Sequence, residues 1–146
     1  MKKSKLILIG LSFVLLVLIR VFENKLFYDP FISYYKNINY FEREAPNYEL
    51  TTIIISTFVR YFINSIISLF ILFIAFRKRE IISFSILFYT ISFIALISFY
   101  TILLVNFSDD IKQVFFYIRR FLIQPIFILI LLPAFYYQNS IQNNHK

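Results

Sequence analysis

Four arginines, Arg20, Arg60, Arg119 and Arg120, lie inside apolar stretches of this 146-residue chain. A guanidinium carries five donors, no acceptor and a permanent charge. At mid-membrane each such residue costs roughly 2.5–3.5 kcal/mol, and less near an edge. Asn64 follows Arg60, and Gln124 follows Arg120, at i, i+4 spacing, which puts each amide on its arginine's helix face. Pro125 cannot donate to the carbonyl of Phe121, so an acceptor is freed near the same turn. Amide oxygens, the freed carbonyl and loop carboxylates are the acceptors such guanidiniums need, and the set marks a site without naming a reaction.

The chain offers little else chemically. It has no cysteine, hence no thiol nucleophile, disulfide framework or cluster ligation, and its one histidine, His145, is the penultimate residue. No catalytic residue, metal site or cofactor is expected. The candidate binding residues are Arg60, Asn64, Arg119, Arg120 and Gln124. Arg119 and Arg120 point about 100° apart on a helix. Arg120 is expected to face the interior with Gln124 and to join Arg60 and Asn64, while Arg119 and Arg20 reach toward headgroups. Two like charges need an anion between them. Glu49, Asp109 and Asp110 are the internal candidates, and a lipid phosphate or a partner's carboxylate the external ones.

The elements that position these groups read as membrane spans. The composition is 60% hydrophobic, and Ile81 to Phe107 is a run of 27 uncharged residues. An uncharged, mostly apolar run of that length reads as a transmembrane helix. Four spans are expected, about 6–22, 51–76, 81–107 and 114–135, in one all-α polytopic membrane domain covering 1–146. The start resembles a signal peptide, but no small-x-small cleavage site follows, and the first alanine is Ala45, so it reads as a retained first span. Arg77-Lys78-Arg79-Glu80 links spans two and three. Ser108-Asp109-Asp110 links three and four, with Ser108 as a candidate N-cap. The arginines then converge at one depth. Arg60 lies about 13 Å into its span and the Arg119–Arg120 pair roughly 8 Å into theirs.

Charge sets the expected orientation. With the N-terminus in the cytoplasm, Lys2, Lys3, Lys5, Arg77, Lys78, Arg79 and Lys146 lie inside, against Lys25, Lys36, Arg43 and Lys112 outside. Both termini are then cytoplasmic. The net charge of +7 is thus a matter of topology, and no nucleic-acid partner is expected. In the first outer loop, Asp29-Pro30 reads as a helix start. Phe31, Tyr34, Tyr35, Ile38 and Phe41 follow on one helical face. This predicts a short amphipathic helix in the outer headgroup layer, with Phe31, Tyr34, Tyr35 and Phe41 at the membrane interface. A lid or docking surface over the bundle is the alternative.

The stretches FENKLFYDPFISYYK, VRYFIN and YIRRFLIQPIFILILLPAFYYQ, in that order and spacing, resemble the exosortase F system-associated membrane proteins of Bacteroidetes-type bacteria. The resemblance covers nearly the whole chain. It implies a place beside an exosortase, a membrane-embedded cysteine transpeptidase that processes C-terminal sorting tails. Without a cysteine, this chain is not expected to be the transpeptidase itself. The leading expectation is therefore a non-catalytic accessory or interaction subunit with an exosortase-like membrane partner. The alternative is a membrane protein that binds an anionic lipid or lipid-linked phosphate through its outer-leaflet arginines. A transporter would need an oligomer, and no internal repeat is visible.

Overall fold

A computed structural model describes residues 3–42 and 44–144, and the described residues form helices and turns without strands. Helix α1 is Lys3–Val21, followed by the single turn α2, Glu23–Leu26, and the short α3, Phe31–Lys36. A 3-10 turn at Tyr40–Glu42 leads to α4, Leu50–Phe76, and then α5, Arg79–Val105. A second 3-10 turn, Asp109–Ile111, opens α6, Lys112–Ile123, and α7 is Ile126–Asn144. Helices α1, α4 and α5 are each long and apolar enough to cross a membrane, and the number is four if the bent pair formed from α6 and α7 is one span. Helices α1, α4 and α5 agree with the first three expected spans to within a few residues, and the fourth expected span corresponds to the bent pair, which runs on past residue 135.

That last span is not one helix. It breaks at Gln124–Pro125, with a bend of 62° between its halves. Proline removes an N–H and biases the residue before it toward extended backbone. Gln124 accordingly sits at φ −105°, ψ 144°. Pro133, by contrast, is carried inside α7 without ending it.

Helix α4 is the axis of the bundle. Of its most apolar stretch 44% is buried, against 17% for α5 and 11% for α1, and it packs on α1, α5 and α6. Only Arg77 and Lys78 separate α4 from α5. Arg77 closes α4 in the left-handed region at φ 53°, its N–H returning to the carbonyl of Phe73 at 3.0 Å. The small residues Ser65, Ser68 and Ser85 are buried where helices meet. Their hydroxyls donate to carbonyls one turn back in their own helices, as do those of Ser12, Thr57, Thr90, Ser98 and Thr101. These polar groups are satisfied locally and ask for no ligand.

The end bearing α2, α3 and the α5–α6 connection, here the upper end, differs from expectation. Helix α3 stops at Lys36, because Asn37 turns extended and its side-chain amide caps the carbonyl of Ser33 at 2.8 Å. The predicted stripe is therefore cut in two. Phe31 and Tyr34 are buried, Tyr35 is half-buried, and all three pack inward. Phe31 touches Phe107 and Phe115, at 5.4 and 4.8 Å between ring centres. Tyr35 donates to the carbonyl of Lys112 at 2.8 Å, and Tyr48 to that of Leu104 at 2.7 Å, one of the carbonyls the end of α5 leaves open. Ile38 and Phe41 stay exposed. The segment is thus a plug on the helix ends, not a helix with one continuous aromatic face. Ser108 has the extended backbone of a cap but its hydroxyl caps nothing, and the first turn after it is 3-10.

Candidate functional site

The site begins with local chain stops. Helix α1 ends at Val21 and resumes for one turn at Glu23, which returns Glu23 toward the bundle, with only 5% of its surface exposed. Six residues on, Asp29 starts α3: its Oδ1 accepts from the N–H of Phe31 at 3.1 Å, the Asx start expected from the sequence. Its other oxygen is left for long-range partners.

Those partners are the intramembrane arginines. Arg60 donates to Glu23 Oε2, and its Nη1 lies 3.6 Å from Asp29 Oδ2. Arg119 Nη2 reaches the same Asp29 oxygen at 2.5 Å. Arg20 Nη1 meets Glu23 Oε2 at 2.5 Å. The order is Arg20, Glu23, Arg60, Asp29, Arg119, with each carboxylate bridging two guanidiniums. Arg60 and Arg119 are 2% and 5% exposed, while Arg20 keeps 46% of its side chain open. Phe27 lies under the Arg60 guanidinium at 5.4 Å, and Tyr35 beside that of Arg119 at 6.0 Å.

This overturns three expectations. Arg119, not Arg120, faces the interior, and Arg120 is exposed, its Nε donating to Gln124 Oε1 at 3.0 Å. The i, i+4 pair forms, but on the outside of the bundle, because the register of α6 is set by Phe115, Leu122 and Ile123 packing inward. The counter-anions are Glu23 and Asp29, not Glu49, Asp109 or Asp110. Glu49 accepts from Thr52 and Asp109 pairs with Lys112, both within one helical turn, while Asp110 is exposed. Asn64 is buried near Arg60's level but donates to the carbonyl of Ile123 at 3.1 Å, beside the helix break. The acceptor taken up at that break is thus Ile123, not the expected Phe121.

The ion chain is not neutral. Three arginines against two carboxylates leave one positive charge, and Arg120 adds another at the surface. Among the described residues, Arg60 Nε, Arg60 Nη1 and Arg119 Nε are buried without a hydrogen-bond acceptor. A cavity of about 270 Å³ lined by Asn24, Asp29, Ile32, Ser33 and Lys36 adjoins the chain from above. The arrangement can clamp a loop and attract an anion. It contains no paired nucleophile and base.

Glu23 and Asp29 are the residues the sequence reading missed. Glu23 carried a usable signal, three residues after Arg20. Asp29 was hidden by its local role as a cap. Comparison with protein-family models, with curated proteins and with solved structures finds no match to this chain.

Proposed function

We propose that the chain is a non-catalytic interaction subunit of an exosortase-type sorting system, set in the bacterial inner membrane with both termini cytoplasmic. The resemblance of its three sequence stretches supports the setting. The observation that carries the role is the direction in which the arginines act. Arg60 and Arg119 hold Glu23 and Asp29, and through them the segment from α2 to α3, against the helix ends. A segment pinned in this way is a platform. Its top presents Ile38, 94% exposed, and Phe41, 52% exposed, to whatever sits above the outer leaflet. Large apolar side chains held on a braced loop suit contact with a second membrane protein.

Site-specific photocrosslinking in cells of the native host tests this. A crosslinker at Ile38 is expected to capture a cysteine transpeptidase of the exosortase class. One at Lys78, at the opposite end, is expected to capture none. Asp29→Asn should weaken the Ile38 crosslink while membrane insertion persists. Equal capture from both ends, or none from Ile38, would remove the reading.

A further inference from the structure

A second feature lies on the lipid-facing side of the ion chain. Phe13, Leu16 and Val17 on α1 face Ile128 and Leu129 on α7 across a groove of about 330 Å³. The groove exists because the break at Gln124–Pro125 swings α7 out of line with α6. Its floor at that break is Pro125 and Ile126. Its polar end is Arg20 and Gln124. Arg120, bonded to Gln124 through Nε, is exposed beside this end. Among the described residues the Nη groups of Arg120 carry no hydrogen bond.

We propose that this groove holds one anionic phospholipid, its phosphate between Arg20 and Arg120 and one acyl chain along α1 and α7. Charge and shape point the same way. Three arginines and two carboxylates form the ion chain and Arg120 stands beside it, an excess of two positive charges; at the groove's end Arg120 meets no carboxylate and Arg20 shares Glu23 with Arg60. Guanidinium forks match phosphate oxygens. From Arg20 down to Phe13 the wall is apolar on one helical face for seven residues, about 10 Å at 1.5 Å per residue. A soluble anion would use the arginines and leave that wall idle. A neutral lipid would use the wall and leave the arginines unbalanced. The site needs no protein partner, so it stands or falls separately from the sorting role.

The full-length protein in mild detergent, stripped of lipid and titrated with phosphatidylglycerol or phosphatidylcholine, is read by native mass spectrometry. The expected result is one retained phosphatidylglycerol, preferred over phosphatidylcholine by about tenfold, the scale of a single charge-assisted contact. Arg120→Gln leaves the buried ion chain intact, and Leu129→Trp fills the groove without touching a charge. Each should reduce retention of phosphatidylglycerol about tenfold or more, with unfolding temperatures like the parent's. Millimolar glycerol 3-phosphate should not displace the lipid. Equal retention of the two lipids overturns the proposal. So does an effect of Arg120→Gln alone, or ready displacement by glycerol 3-phosphate, which would mark a site for soluble anions. An effect of Leu129→Trp alone, which would mark an apolar cleft without phosphate recognition, also overturns it.

Discussion

The two ends of the bundle are both basic, yet their cations do different things. At the lower end Arg77, Lys78 and Arg79 are exposed, and Lys78 bonds amide oxygens, Asn139 at 2.5 Å and Gln142 at 3.4 Å. At the upper end Arg60 and Arg119 are buried within helices and each meets a buried carboxylate. Exposed charges cost little and are worth little individually. Buried ones are costly alone and stable only with geometry that answers them. The lower cluster can therefore change without harm to the fold, whereas the upper one holds a loop. Position relative to the helix end, more than residue type, separates a topological charge from a structural one.

Substitutions should break that contrast in a set order. Asp29→Asn should have the largest effect. It leaves Arg119 and Arg60 facing each other with one fewer carboxylate, at a cost of about 3–5 kcal/mol in detergent unfolding. Glu23→Gln should destabilise less, since Arg20 is half-open and can turn to solvent, leaving only Arg60 short of a partner. Tyr48→Phe removes one hydroxyl donor from Leu104, and about 0.5–1.5 kcal/mol is expected by the same measurement. Arg77→Gly should be the mildest. The left-handed φ of 53° suits glycine, so stability should hold or rise slightly.

The tyrosines of the plug sharpen the contrast through pH. Burial pushes the Tyr35 and Tyr48 phenols above their ordinary value. Their folded pKa values then exceed the unfolded value of about 10. The neutral, donating form is favoured in the fold, so this contribution is complete below about pH 10 and is lost as pH rises beyond it. Protease access to residues 37–49 should increase above that pH in the parent and less so in a Tyr35→Phe, Tyr48→Phe double variant. Unchanged access in the parent would mean the hydroxyl bonds do not hold the plug.

The long apolar helices were legible because apolar runs of such length have few other readings, although only Ile81 to Phe107 is free of charge throughout. The sequence also placed Arg60, Arg119 and Arg120 at a shared depth, since depth follows from counting. Facing was another matter. Arg119 and Arg120 differ by one residue, and the inward choice is set by how Phe115, Leu122 and Ile123 pack. The bend after Gln124 then carries α7 away from α6. The break itself is local to Gln124–Pro125, but the facing and the path of α7 after the break are set by packing. The aromatic stripe failed at Asn37, whose extended backbone ends the helix before Ile38, and Asn39 then opens a separate 3-10 turn. Asp29 was read correctly as a cap and incompletely for that reason, because one oxygen serves Phe31 and the other serves Arg119 and Arg60.

A double-mutant cycle between Asp29 and Arg119 tests the central claim that the buried arginines hold the loop segment. Asp29→Asn and Arg119→Gln should each lower detergent unfolding stability, and the double variant should lose less than the two losses added. A coupling of about 1–3 kcal/mol is expected for groups in one buried network. Additive losses, with no coupling beyond about 0.5 kcal/mol, would show that Arg119 is not held by Asp29 and would contradict the account.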